Sequence, residues 1–508
     1  MSFSVFSQHY REPSFLSRLL DLAVFVLLLG TFAVAPHRIN EAAYLCTAAS
    51  AVFAISLFVS PRSFRWHPLF RPVLVFLLLC ALSTAFSSAP DWSWRRLGWF
   101  TLLLAVIVTA STLRTRARII ALVTVLLLSS LSILVRVGWQ YTHGIGVTLA
   151  DLPADNALVQ HGLFPGDIIQ TLNNHPTRSP SQFRKVLDAT ASEPGVTLGV
   201  ARGAPIERVE IQLSRTELNT ALSNVTLQRG HPVRAQAGFY HYVPFAGFMC
   251  VIALLAWGLT LAMRTITARV IFLIVTFAAT AGVIASLTRM YLVALLIGAF
   301  AAFWMVSQRK WRILATAALG LSLVAATLFV SQERGIGWIA IGDAGTQYRI
   351  EMWHDGLILA RQHPLLGIGL DAALSGKWQL SAYRDFPLKS HFHSTPLQLA
   401  VDTGLFTLAA WLWLAVVLFR TLLRSLRRLP RNDRWLRGVA LGVFASAVAF
   451  YGASLVHYNQ GDGEVMILMS ILMGTVVAID RLSASMRTHH AERKHRVVPQ
   501  PAPVAKAG

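Results

Sequence analysis

Long apolar runs recur along this chain of 508 residues, near 19–36, 42–60, 72–88, 97–113, 118–137, 243–263, 268–287, 290–307, 311–330, 396–419, 437–457 and 464–480. Crossing a bilayer as a helix takes roughly 20 apolar residues, and a helix satisfies its own backbone hydrogen bonds where no water is present. The runs therefore predict a polytopic α-helical membrane protein with about 12 transmembrane helices. Apolar residues make up 55% of the chain and charged residues 14%, with a mean hydropathy of +0.54. That balance excludes a single soluble globule, a disordered protein and an enzyme on one anchor. Cys46, Cys80 and Cys250 all lie inside apolar runs, so they read as buried thiols rather than a disulfide framework or zinc site.

The net charge of +21 is placed unevenly. With the N-terminus on side one, that side collects Arg62, Arg65 and Arg71, then Arg114, Arg116 and Arg118, then Arg309, Lys310 and Arg312. The connection 420–437 adds Arg420, Arg424, Arg427, Arg428, Arg431, Arg434 and Arg437. Short connections on side two hold Arg38, Arg95, Arg96 and Arg289. Lys and Arg accumulate in short cytoplasmic loops, so both termini are expected to be cytoplasmic and the long loops 138–242 and 331–395 external. The charge is a topology signal, aided by anionic membrane lipids, and not a nucleic-acid footprint. Ala33-Val34-Ala35 resembles a signal-cleavage site, but Pro36 follows it, and an uncleaved first span is expected.

The expected organisation is 1–137 for the first five spans, 243–330 for spans six to nine, 331–395 for an external catalytic loop and 396–480 for the last three. A disordered basic tail over 481–508 follows. Between spans five and six, residues 144–215 carry short apolar runs, Gly146–Leu149, Asp167–Leu172, Val196–Val200 and Val209–Leu213, broken by Gly/Pro turns. With one helical stretch at Ser181–Leu187, they predict a small β-rich domain. Gly162-Leu163-Phe164-Pro165-Gly166-Asp167-Ile168-Ile169, Leu172-Asn173-Asn174 and the closing Val200-Ala201-Arg202-Gly203 resemble the PDZ domains of bacterial envelope proteins. Only Gly144-Ile145-Gly146 precedes Val147, where the usual first strand and its carboxylate-holding loop should lie. Two readings stay open: capture of a protein partner by strand addition, or a folded spacer.

Ionisable residues at the outer boundary are costly to bury and mark function. Arg289 sits in Ala285-Ser286-Leu287-Thr288-Arg289, as a snorkelling anchor or a binding group. Arg349 precedes Trp353 by one helical turn, and His363-Pro364-Leu365-Leu366-Gly367-Ile368-Gly369 forms a turn. His391-Phe392-His393-Ser394 abuts a span beginning Pro396-Leu397-Gln398 and containing Asp402-Thr403-Gly404-Leu405. The histidines are interfacial bystanders, or act with the arginines on an anionic, membrane-borne substrate. As metal ligands they lack further partners, and Gly461-Asp462-Gly463-Glu464 reads as an exposed turn. No metal and no cofactor is expected, and no Walker loop, H-E-x-x-H or G-x-S-x-G element occurs.

Ser286-x-x-Arg289, Arg349-x-x-x-Trp353, the His363–Gly369 turn and His391-x-His393 with Leu397-Gln398 and Gly404-Leu405 resemble, in this order, the O-antigen ligase and polymerase superfamily. Ser394 stands where that family commonly has Asn. The resemblance implies a glycosyltransferase acting on an undecaprenyl diphosphate-linked glycan at the periplasmic face of a bacterial inner membrane. The acceptor is lipid A–core for a ligase or another glycan for a polymerase. It implies that Arg289 and Arg349 bind the carrier diphosphate through planar, permanently charged forks, and that His393, or His391, takes the acceptor hydroxyl proton. A transporter of lipid-linked glycans is the competing class. Its repeated halves and mid-membrane charges are not evident in this sequence. A non-catalytic envelope scaffold working through the PDZ-like domain is the third.

Overall fold

The computed structural model describes residues 14–59, 64–144, 146–150, 152–153, 156–164, 166–201, 208–223, 225–231, 234–239, 241–333, 344–382 and 390–496. Ile145, Pro165, Arg202 and Gly203 of the β-rich segment, residues 334–343 and 383–389 of the second loop, and tail residues 497–508 lie outside them. Among the described residues, nine helices are long and apolar enough to cross a membrane. They are Phe15–Val34, Ile39–Val59, Arg116–His143, Tyr242–Ala262, Ile266–Ala285, Arg289–Val306, Thr395–Arg428, Arg434–Ala453 and Gly463–Met486. The protein is a multi-pass helical membrane protein.

The other three apolar runs are helical but differ from a plain span. Phe70–Ala85 has 16 residues. The run near 97–113 is divided into Pro90–Phe100, a 3₁₀ turn at Thr101–Leu104 and Ala105–Thr112. At that break the Thr101 hydroxyl donates to the Gly98 carbonyl at 2.6 Å, a local bond that competes with the helical ladder. Arg309–Glu333 begins with the cationic string Arg309-Lys310-Trp311-Arg312.

Burial divides the helices by role. Tyr242–Ala262 and Gly463–Met486 are buried on nearly every face, which explains why they are apolar all round. Gly258 lies against the backbone of Gly442, so Tyr242–Ala262 and Arg434–Ala453 approach as closely as small residues permit. Near the far end of Gly463–Met486, Asp480 accepts from Arg424 at 2.9 and 3.1 Å and from the Ser425 hydroxyl at 3.2 Å. The last helix runs to Arg496, so 481–496 is not the disordered start of a tail. Ala, Met, Arg, Glu and Lys are good helix formers, and no Gly or Pro interrupts them before Pro499.

Between Arg116–His143 and Tyr242–Ala262 the chain folds into an antiparallel sheet. Its strands are β1 (Gly146–Ala150), β2 (Ile168–Leu172), β3 (His175–Pro176), β4 (Gly195–Ala201), β5 (Arg208–Ser214) and β6 (Thr226–Gly230). The spatial order is β5-β4-β2-β1-β6, with β3 paired to β2. Asn173 and Asn174 both take left-handed φ, 47° and 63°, as a two-residue hairpin turn requires. Val147, Ile169, Phe183, Leu198 and Ile211 build a core of its own.

The sheet extends past residue 215, the boundary expected from the sequence. β6 pairs with β1 through Val147↔Arg229 and Leu149↔Leu227. The place of a strand before Val147 is thus filled from the other end of the segment. The short, polar Thr226-Leu227-Gln228-Arg229-Gly230 carries no apolar alternation that would announce it. A fragment spanning 144–231 is expected to give a β-rich circular dichroism spectrum and dispersed amide resonances. A fragment ending at 215 leaves β1 unpaired on one edge and is expected to melt at a lower temperature. Equal melting of the two would count against β6 as part of the folding unit.

Candidate active site

The site forms where the Thr395–Arg428 helix begins. Ser394 is extended, and Thr395 donates its N–H to the Ser454 carbonyl at 2.8 Å and its hydroxyl to the His457 carbonyl at 3.0 Å. These bonds bind the 390–394 segment to the turn after Arg434–Ala453. The Trp353 indole donates to the Phe392 carbonyl at 2.9 Å, while the Phe392 N–H donates to Gln398 Oε1 at 2.8 Å. Phe392 is fully buried between those two bonds. His391 and His393 therefore flank a fixed pivot, with His393 at φ 50°, a strained value for a non-glycine residue.

His457 completes a cluster that the sequence does not announce. The His391 ring lies 4.6 Å from that of His393 and 5.5 Å from that of His457, with Tyr458 at 5.6 Å. One ring nitrogen from each histidine falls within 4.8 Å of the others. His457 Nε2 meets Asp462 Oδ2 at 2.8 Å. The Gly461–Glu464 stretch is thus not the exposed turn expected from its composition. Arg96 donates to the Gly461 carbonyl at 3.2 Å, Trp99 packs against Gly463, and Glu464 is buried.

A polar chain runs beneath the histidines. Gln398 donates to Asp402 Oδ2 at 2.9 Å, which also accepts the Asp371 N–H at 3.2 Å. Asp371 pairs with Arg96 at 3.2 Å, and the Arg96 guanidinium lies 5.3 Å from the Tyr458 ring centre. The His363–Gly369 turn closes over this chain. Ile368 and Gly369 donate to the Val401 and Asp402 carbonyls, and Leu405 donates to that of Pro364, each at 2.8–2.9 Å. Gly404, at φ 80°, kinks the Thr395–Arg428 helix to admit the turn.

The two arginines expected to bind diphosphate stand differently toward the cluster. Arg349 lies in the Ala344–Gln362 helix beside Tyr348, whose ring is 6.0 Å from His393, and its charge is felt by both His391 and His393. Arg289 opens the Arg289–Val306 helix. Two residues on, Tyr291 is buried, donates to Asn459 Oδ1 at 3.2 Å and lies 6.3 Å from the His457 ring. An arginine at a helix N-terminus opposes the helix dipole unless an anion lies between them, since both favour negative charge there.

Burial, with the neighbouring His393, His457, Arg96 and Arg349 charges, holds His391 well below the ordinary imidazole range. Burial and the Arg349, His457 and His241 charges push His393 down to about 3. Burial lifts the Tyr348 phenol to about 12, against the Ser390 hydrogen bonds that pull it down. Both histidines are therefore neutral at pH 7, and the unfolded chain binds protons here before the folded one does. Stability from these rings is present in full above about pH 6.5, the ordinary histidine value, and is lost as the pH falls toward 3. The melting temperature in detergent is expected to drop more between pH 7.5 and 5 for the parent than for His393→Gln. Parallel drops would contradict a buried neutral His393.

Residues 272–412 match the family described as O-antigen ligase, and residues 39–169 match a family of unknown function. The match supports the O-antigen ligase superfamily for this part of the chain. The ligase match contains Arg289, Arg349, His391, His393, Gln398 and Asp402, whereas Arg96, His457 and Asp462 lie beyond it. No curated protein matches the chain. That match supports a ligase- or polymerase-type function on lipid-linked glycans.

Proposed function

We propose that the protein is a metal-independent glycosyltransferase that moves a glycan from undecaprenyl diphosphate to lipid A–core or a similar acceptor. On this reading the reaction occurs at the periplasmic face of a bacterial inner membrane, with twelve crossings and both termini cytoplasmic. The observation that carries it is the nearness of the His391–His393 pair to Tyr348, the residue before Arg349, inside a segment matching O-antigen ligase. Arg349 and Arg289 hold the carrier diphosphate, and guanidinium forks stabilise the charge it gains as the sugar–phosphate bond breaks. His393, with His391 as the alternative, accepts the acceptor hydroxyl proton while that oxygen attacks the anomeric carbon. Burial keeps both rings unprotonated, as a base must be. The sheet domain is read as PDZ-like. β6 is one of its two outer strands and the Pro180–Ala189 helix packs nearby, an arrangement suited to adding a peptide strand from a protein partner.

Deletion of the gene tests the reaction through the surface-glycan profile. Loss of glycan from lipid A–core, with accumulation on the carrier, is the expected result. Survival of single glycan units with loss of chains would instead indicate a polymerase, and an unchanged profile would refute both. Reporters near Lys185 and Gly376 should read as periplasmic and one near Pro430 as cytoplasmic. A cytoplasmic signal at Lys185 would overturn the sidedness.

A further inference from the structure

Deprotonating an acceptor hydroxyl needs somewhere for the proton to go, and the two histidines of the 390–394 segment are poor places for it. Both are held neutral by burial and by surrounding positive charge. Among the described residues, His391 Nε2 is shut off from solvent with no hydrogen-bond partner. The third ring differs. His457 Nε2 faces Asp462 Oδ2 at 2.8 Å, and the His457 side chain is 8% and that of Asp462 14% exposed. A carboxylate on one imidazole nitrogen fixes the tautomer with its proton there, leaves Nδ1 as the acceptor and stabilises the imidazolium once it forms.

Resting on the transferase reading above, we infer that the proton released by the acceptor comes to rest on His457, held by Asp462, after passing through the His393–His391 pair. The acceptor O–H bond breaks as its oxygen bonds to the anomeric carbon, and the electron pair of the broken sugar–phosphate bond leaves with the lipid diphosphate. The proton moves to the 390–394 histidines and then to His457 Nδ1, and it is returned to solvent before the next cycle. His457 is thus a positioning and proton-storing residue that acts through its neighbours.

The groups around it define the electrostatics. Asp462 lies on its own turn, and Glu464 follows in the last helix. His391 and His393 approach from the 390–394 segment, and Tyr291 from the Arg289–Val306 helix. Tyr458 lies 5.6 Å from the His391 ring with Arg96 over its own ring, and the Arg349 and His241 charges reach the cluster through the two flanking histidines. Asp462 is the one carboxylate in direct contact with the ring among the described residues. Its loss removes the anion that makes His457 the preferred resting place.

The test is the pH–rate profile of transfer by the purified full chain in nanodiscs, with lipid-linked glycan as donor. Asp462→Asn is expected to lower kcat about tenfold or more and to move the acidic limb to lower pH, because the ring loses its stabilising anion. The donor KM should stay unchanged, and Asp462→Glu should restore the limb. A merely structural Asp462 would leave the limb where it is, and that result would overturn the inference. A second arm needs no activity. Histidine ring NMR of the labelled full chain should show a resonance, absent from His457→Gln, whose proton sits on the nitrogen facing Asp462 and whose tautomer is lost in Asp462→Asn. If the wild type transfers nothing, the transferase reading fails, while this arm still decides whether Asp462 fixes the His457 ring. A stoichiometric zinc ion on the purified protein, lost in His457→Gln, would overturn proton storage in favour of a metal centre.

Discussion

Arg349→Ala protein is expected to transfer glycan about ten- to a hundredfold more slowly than the parent, at equal insertion and monodispersity. The figure follows from removing one charge-assisted contact to a phosphate, about 1.5–3 kcal/mol. Arg349 sits one turn from Trp353, whose indole fixes the Phe392 carbonyl, so the guanidinium is carried on the element that also sets the histidines. Arg349→Lys should stay impaired, because a point charge on a flexible stem does not reproduce a planar fork. The arginine has a second effect that separates binding from mere folding. Its charge helps to keep His391 and His393 unprotonated, so its removal should raise both toward the ordinary histidine value. Full activity in Arg349→Ala and in Arg289→Ala, each shown to be inserted, would remove the diphosphate role from both residues.

The membrane layer is legible in the sequence because hydropathy needs only composition and length. Even a helix buried on all sides, such as Tyr242–Ala262, announces itself as an unbroken apolar run. Interruptions are less visible. The Thr101 hydroxyl bond that breaks the fourth run involves a residue type found in many intact spans. β6 escapes because it is short and polar, and what recruits it is the bare edge of β1 some eighty residues earlier. Arg289, Arg349, His391 and His393 can be singled out because each lies in a short motif. Arg96, Asp371, His457 and Asp462 come together only in space, across segments with no common spacing. Asp462 reads from the sequence as part of an exposed turn, since Gly-Asp-Gly-Glu looks solvated until Trp99 and Arg96 are packed against it. Asp402 and Gln398 are visible as strings, but their bonding to Asp371 and the Phe392 N–H is not.

The largest expected effect on stability is at the kink. Gly404→Ala should lower the melting temperature in detergent by roughly 5 °C or more, together with the yield of inserted protein. At φ 80° an alanine is strained by about 1 kcal/mol or more. A Cβ there would also be driven into the Leu365 carbonyl, backbone that cannot swing aside, which adds about 1–3 kcal/mol of overpacking. Gly367 faces the same contact from the other side, its absent Cβ directed at the Asp402 and Val401 carbonyls. The two glycines thus let backbone meet backbone, and the double variant should cost less than the sum of the singles because one displacement relieves both. Gly452 supplies the control. It lies in Arg434–Ala453 at ordinary helical geometry, with nothing within 4 Å of where an alanine methyl would stand, so Gly452→Ala should be neutral or slightly stabilising. Separating the turn from the kink also slackens the Asp402–Asp371 bond beneath the histidines, so residual Gly404→Ala protein should lose transfer activity ahead of its secondary structure as it is warmed. Wild-type melting and activity in Gly404→Ala would mean that the turn and kink do not form the floor of this site.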